Sequence, residues 1–256
     1  MEFVAVFVFG AIIGSFLNVC IYRLPRNMSV VKPRSLCPNC ASQIMWFDNI
    51  PLISYLVLKG RCRRCGDKIP LRYFLVELVT AVSGVLLLAN FSFTGTFFVY
   101  WLFTCILIVI VFIDIGHKII PDILSITGII LGLVFVPLFS KRADITYLKA
   151  LAASFAGVLA GGGSMFLLGF LGELVFRKEA VGGGDVKLMG MIGAFLGWKL
   201  VLLSFFIAPI FGSVVGLYAK LIKGENIIPY APFLALGAIV SLFFGNDILN
   251  YLLYGL

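Results

Sequence analysis

The chain has little charge. Only 12% of its 256 residues are Asp, Glu, Lys or Arg, against 61% hydrophobic, and its mean hydropathy is +1.10. That balance excludes an ordinary soluble domain. Histidine is nearly absent, with His117 the single example, so the two histidines of an H-E-x-x-H metalloprotease helix are lacking. No G-x-S-x-G stretch and no strand–G-x-G-x-x-G–helix unit occurs, which removes serine hydrolases of that type and Rossmann-type cofactor sites. The start, MEFVAVFVFG, lacks the basic segment and small-residue cleavage site of a removable signal peptide. It reads as a retained first helix.

What is present are apolar runs near the length that crosses a hydrocarbon core of ~30 Å. They are continuous, where a β-barrel would alternate. The fold expected is an all-α polytopic membrane protein with about eight transmembrane helices and a cytoplasmic zinc-binding loop. The spans are predicted at 3–22, 73–90, 96–115, 121–139, 146–171, 186–198, 200–219 and 229–245. The sixth is short and glycine-containing, and reads equally as a half-span or as one piece with the seventh. The expected domains are a first transmembrane helix (1–22), the loop (23–72) and a transmembrane helical domain (73–256). Gly157, Gly161, Gly162 and Gly163 suit close helix packing in lipid.

Basic residues set the orientation. With the N-terminus outside, the segment 23–72 lies inside with Arg23, Arg26, Lys32, Arg34, Lys59, Arg61, Arg63, Arg64, Lys68 and Arg72. Lys118, Arg177, Lys178, Lys187, Lys220 and Lys223 join them, leaving Lys141, Arg142, Lys149 and Lys199 outside. The positive-inside rule then predicts both termini outside and the loop cytoplasmic. The net charge of +8 is thereby a topology signal and does not call for nucleic acid.

The loop carries CPNC and CRRCG. Cys37 and Cys40 form one C-x-x-C pair, Cys62 and Cys65 the other. Two such pairs supply four sulfurs from two tight turns, the pattern of a tetrahedral zinc site. Redox dithiols are the alternative. A reducing compartment argues against disulfides, and four thiolates fill the shell, so the metal is expected to be structural. Cys20 and Cys105 lie in apolar runs and read as packing residues.

Among the twelve acidic residues, two sit against spans without an evident partner. Asp114 closes the run IVIVFIDIGHK, and Asp185 follows three glycines in VGGGDVKLMG. Ionisable groups at membrane depth are costly and point to function. Two carboxylates on different helices can form a dyad, one ionised and one protonated, and hydrolyse a peptide bond without a covalent intermediate. Asp185 also suits a helix N-cap. Asp114 could be a hydrogen-bonded interior group or pair with Lys118, and Asp122 in IIPD reads as a turn or cap. Capping leaves Gly182, Gly183 and Gly184 unexplained. They permit φ > 0 or the close approach of another backbone, a peptide substrate included.

With these motifs in order (GSFLNVCIYRLPR at 14–26, NIPLISYLVLKGRC at 49–62, PLRYFLVELVTA at 70–81, IDIGHKIIPD at 113–122, GGGDVKLMGMIGAFLGW at 182–198) the chain resembles the bacterial type IV prepilin peptidases. These are leader peptidases and N-methyltransferases with a G-x-G-D aspartyl protease signature. The resemblance implies that Asp114 and Asp185 are the catalytic pair and that Gly182 and Gly184 are the motif glycines. It implies zinc on Cys37, Cys40, Cys62 and Cys65, pilin-like precursors with a short basic leader as substrates, and S-adenosylmethionine as methyl donor to the new N-terminus. It gives no residues for that donor. It also implies a multi-pass protein of the bacterial inner membrane that touches lipid and no nucleic acid. The rival from another class is a transporter or channel using Asp114 and Asp185 as a proton or cation site. It predicts an inverted repeat, which the sequence does not contain.

Overall fold

A computed structural model describes residues 1–139, 146–177, 181–218, 221 and 228–255. Lys141, Arg142, Lys178, Lys220 and Lys223, and the last residue of the 200–219 span, lie outside the described residues. The chain divides into two compact units, Met1–Phe97 and Phe98–Leu256. Among the described residues seven helices are long and apolar enough to cross a membrane, and no strand forms beyond two isolated bridges.

In the first unit, α1 (Glu2–Arg23) packs against α3 (Leu71–Phe91). The two run antiparallel. A Cβ on Gly14 would come within 2.6 Å of the Glu77 Cα, and Asn18 Nδ2 donates to the Tyr73 carbonyl at 2.9 Å. The small residue is what lets the backbones meet. The outer face of α1 carries exposed Phe3, Val8, Phe9 and Ile12, as expected of a helix facing hydrocarbon rather than water. Between the helices lies the loop, with only the short α2 (Ile53–Val57). Of residues 24–70 only Cys37 and Gly60 are buried, so the loop has almost no apolar core of its own.

The second unit holds α4 (Gly95–His117, its first residues in unit one), α5 (Asp122–Phe139), α6 (Tyr147–Phe176), α7 (Gly183–Tyr218) and α8 (Ala231–Tyr254). Its core gathers Phe103, Leu107, Ile110, Met165, Leu188, Met189, Met191, Ile192 and Phe195, with the Phe103 and Phe195 rings stacked at 4.7 Å. Helix α6 lies antiparallel to the first part of α7: a Cβ on Gly157 would run into the Gly193 carbonyl and one on Gly161 into that of Met189.

The expected sixth and seventh spans are joined in α7 with no loop between them, and Gly197 breaks the helix there with φ 77 and ψ 173. The break is a reversal. A Cβ on Gly161 would touch both the Met189 carbonyl and, at 2.7 Å, Val201 Cγ2. In a continuous helix those two residues would stand about 18 Å apart. The segment after Gly197 therefore returns alongside the segment before it, and α8 in turn runs antiparallel to it: a Cβ on Gly237 would stand 2.7 Å from the Ser204 carbonyl oxygen and one on Gly245 2.6 Å from Leu200 Cδ2. Residue 197 can be only glycine without strain, since its φ is positive. The arm before the reversal, Gly183–Leu196, is about 21 Å long and the arm after it about 31 Å.

Two helices extend past their predicted ends. Helix α6 continues through Glu173 to Phe176, where Arg177 turns left-handed at φ 53 and donates its N–H to the Glu173 carbonyl. Helix α8 runs on through Asn246 and Asp247 to Tyr254. An isolated polar residue lowers the local hydropathy without breaking the backbone ladder.

Candidate functional site

In the first unit, the Ala41 N–H donates to the Cys37 carbonyl at 2.9 Å and the Gly66 N–H to that of Cys62 at 2.9 Å. Ala41 (φ 53) and Gly66 (φ 73) are both left-handed. The bridges Leu36–Gln43 and Arg61–Lys68 close each turn. Two equivalent turns thus present their sulfurs to one point. The four Sγ atoms lie within 4.8 Å of one another, and Cys37 and Cys65 are 3.9 Å apart. A tetrahedron of Zn–S bonds near 2.3 Å has edges of about 3.8 Å, so the set fits zinc. The thiols cannot all ionise unaided. The side chain and then the backbone of Ser42 hold Cys40 down to about 6. The Asp67 N–H favours the Cys65 thiolate, but desolvation and then hydrogen bonds to Cys62, Cys40 and Cys37 push Cys65 up to about 12. A divalent cation at the centre removes that conflict. The loop is further braced by a bidentate Arg63–Asp48 pair, Nη2 donating to Oδ1 at 2.7 Å and Nε to Oδ2 at 2.9 Å. Glu77 on α3 accepts the Leu52 N–H at 2.8 Å, where the backbone turns through φ 62. Sequence reading passed over Glu77, because a carboxylate twelve residues past Cys65 gives no local sign of its partner.

In the second unit, Asp114 and Asp185 are brought to one end of the helical bundle. Asp114 sits on the last turn of α4, 5% exposed, and its Oδ2 accepts the Ala231 N–H at 3.0 Å. The first turn of α8 is thereby aimed at the carboxylate, which suits its negative charge. No ion pair joins it to Lys118 among the described residues. Asp185 is half-buried and interacts electrostatically with Asp114. It is not the cap of α7. The helix begins at Gly183, and Asp185 lies in its first turn, with its N–H on the Gly182 carbonyl at 3.0 Å. Tyr230 completes the group: its backbone reaches Asp114, and its phenol interacts with the Asp185 carboxylate. The only sequence signal for Tyr230 is its place between Pro229 and Pro232.

Asp122, at the start of α5, faces solvent. Its exposed carboxylate pairs with Lys187 Nζ at 2.7 Å.

The glycines need a revised account. Positive φ is not the reason for any of Gly182, Gly183 or Gly184, since none is left-handed. Close approach is. A Cβ on Gly184 would stand 3.0 Å from the Ile120 Cβ, one on Gly182 3.3 Å from Asp185 Oδ2, and one on Gly183 would meet nothing within 4 Å. The neighbour at Gly184 is thus the segment between α4 and α5.

Comparison with known proteins covers both regions. A family model for the bacterial peptidase A24 N-terminal domain matches residues 8–91, and one for the type IV leader peptidase family matches residues 101–217. A protein of Myxococcus xanthus described as prepilin leader peptidase/N-methyltransferase is 38% identical over 87% of this chain; the chain spans 64% of that relative's length. Proteins of the same description from Legionella pneumophila (32% identical, 97% of this chain and 93% of the relative) and Pseudomonas aeruginosa (32%, 93% and 89%) match nearly end to end. No solved structure matches. Identity sustained over almost the full length of both the Legionella and Pseudomonas proteins cannot come from one shared motif or from common apolar composition: the chain belongs to the type IV leader peptidase family.

Proposed function

We propose that this protein is an intramembrane aspartyl endopeptidase that removes the short basic leader of type IV prepilin-like precursors and methylates the new N-terminus with S-adenosylmethionine. The observation that carries the reading is that the end of α4 and the start of α7 meet, Gly184 standing against Ile120, which brings Asp114 and Asp185 close enough to interact electrostatically. Two neighbouring carboxylates share a proton readily. The ionised one takes a proton from water as its oxygen attacks the scissile carbonyl; the protonated one gives its proton to the leaving nitrogen as the C–N bond breaks. The Ala231 N–H orients Asp114 for this task. The short arm Gly183–Leu196, at about 21 Å, is less than a hydrocarbon core. A site at its start suits a cut at the membrane edge.

Residues 1–22 form the first transmembrane helix, 23–72 a methyltransferase-associated cytoplasmic loop and 73–256 the peptidase domain. Cys37, Cys40, Cys62 and Cys65 hold one structural zinc. The basic residues put 23–72 and the aspartates on the cytoplasmic side of the bacterial inner membrane and both termini outside. Partners are pilin or pseudopilin precursors and lipid, with no nucleic acid. A transporter reading has nothing in its favour.

Purified protein in detergent, given a pilin-like precursor and labelled S-adenosylmethionine, should yield the shortened product carrying one labelled methyl group. An intact precursor after long incubation would overturn the peptidase reading, and an unlabelled product the methyltransferase reading. In the same assay, Gly184→Val should slow cleavage on the order of 10²-fold, because a displacement of ~1 Å at Asp185 suffices for that. The Ile120 Cβ is too close to its own backbone to swing aside. Gly182→Val should cost less, since a carboxylate can rotate, and Gly183→Ala should cleave at the wild-type rate. A wild-type rate for Gly184→Val, at matched protein level in membranes, would mean the glycine serves packing alone.

A further inference from the structure

A cavity of about 390 Å³ lies wholly within the first unit, between the end of α1 and the cysteine loop. The volume falls in the range of about 300–1,000 Å³ typical of small-molecule sites. Phe16, Val19, Val30 and Val31 supply apolar wall; Trp46, Arg34, Gln43 and Asn49 supply aromatic, cationic and amide groups. Resting on the methyltransferase half of the proposed function, we infer that this cavity is the S-adenosylmethionine site.

The chemistry of the lining divides as that ligand does. Trp46 is 79% exposed, so its indole face is free to stack on a purine. The side-chain amides of Gln43 and Asn49 each offer a donor and an acceptor, the pair that an adenine edge needs. Arg34 makes no salt bridge among the described residues, and a guanidinium fork suits the carboxylate of a methionine tail. The aromatic faces of Trp46 and Phe16 can take a sulfonium cation where no carboxylate lines the cavity. Arg23, also in the wall, is not available to the ligand. It is 7% exposed, and its two terminal nitrogens donate to the Ser29 and Pro33 carbonyls at 2.8 and 2.7 Å. It acts as a brace that ties the 29–33 wall to the end of α1. The cavity floor on residues 35–44 is the first cysteine turn, with Ile44 N–H on the Ser35 carbonyl at 2.9 Å. A metal at the cysteines would thereby set the shape of the cavity, which gives a zinc turn a part in methyl transfer without metal chemistry.

The test is binding of S-adenosylhomocysteine, the unreactive product, to the full chain in detergent, read by calorimetry and by tryptophan fluorescence. Of the three tryptophans, Trp101 is buried and Trp198 lies in the other unit, so a quench on binding reports Trp46. Trp46→Ala and Arg34→Gln should each weaken binding about tenfold or more, at unchanged zinc content. Trp46→Phe, which keeps a stacking face, should retain most of the affinity and lose the quench. Wild-type affinity in both Trp46→Ala and Arg34→Gln overturns the assignment while leaving the methyltransferase reading intact if the wild type still labels its product. A wild type that neither binds the ligand nor labels product overturns both. A Trp46 quench produced by phosphatidylglycerol, and not by S-adenosylhomocysteine, would instead make the cavity an anionic lipid site.

Discussion

Asp114→Asn and Asp185→Asn should each bring precursor cleavage down to background, a loss at or beyond the 10²–10⁴-fold, roughly, that one acid–base group supplies. One carboxylate cannot both accept the water proton and deliver one to the leaving nitrogen in the same turnover, and an amide can do neither. The fold should survive the change. An asparagine oxygen at 114 still accepts the Ala231 N–H, which spans 117 residues of sequence and is the polar tie between α4 and α8. Asp185 is half-buried in a first helical turn that other packing already fixes. Both variants should therefore insert normally and still methylate a substrate supplied already cut. Asp122→Asn is the control. Its carboxylate is exposed and, among the described residues, pairs with Lys187, and exposed pairs contribute little. Cleavage by Asp122→Asn should stay near wild type. Loss of cleavage at Asp122 with retention at Asp114 would move the dyad to a different pair.

Cys62→Ser or Cys65→Ser should strip the protein of metal and unfold residues 24–70. Elemental analysis of the wild type should give about one zinc per chain, and each variant close to none. The magnitude follows from what else holds the loop. With only Cys37 and Gly60 buried across that stretch, apolar burial cannot offset the ordering of so many residues. Structural zinc contributes about 10–16 kcal/mol in small zinc modules, and there binding and folding are one event. Limited proteolysis should open the loop in the variants and spare the helices. Methyl transfer should fall with the metal, because Ser35, Gln43 and Ile44 of the first turn line the cavity. Acidification should release the metal as well: thiolates are the ligands, so protons compete and affinity falls as pH drops. Fully active protein without any metal would remove the claim.

The sequence alone determined everything that hydropathy and short spacing encode. Spans are read from local composition, because a bilayer demands a run of fixed length wherever the segment later packs. The two C-x-x-C turns are read from four residues each, because a tight turn positions its own sulfurs. The costly aspartates announce themselves by depth. Tertiary structure decided what depends on partners far along the chain. Nothing near Gly197 says whether the helix passes through or folds back; the contacts of Gly161 with both Met189 and Val201 do. The need for glycine at 184 comes from Ile120 and not from its own φ. Asp114 finds Ala231, Leu52 finds Glu77, and a loop of unremarkable composition encloses a cavity with Trp46 and Arg34. Such encounters are fixed by which small residues let helices approach and by how many groups must share the space between them. That is a property of the packed assembly, not of any window of sequence.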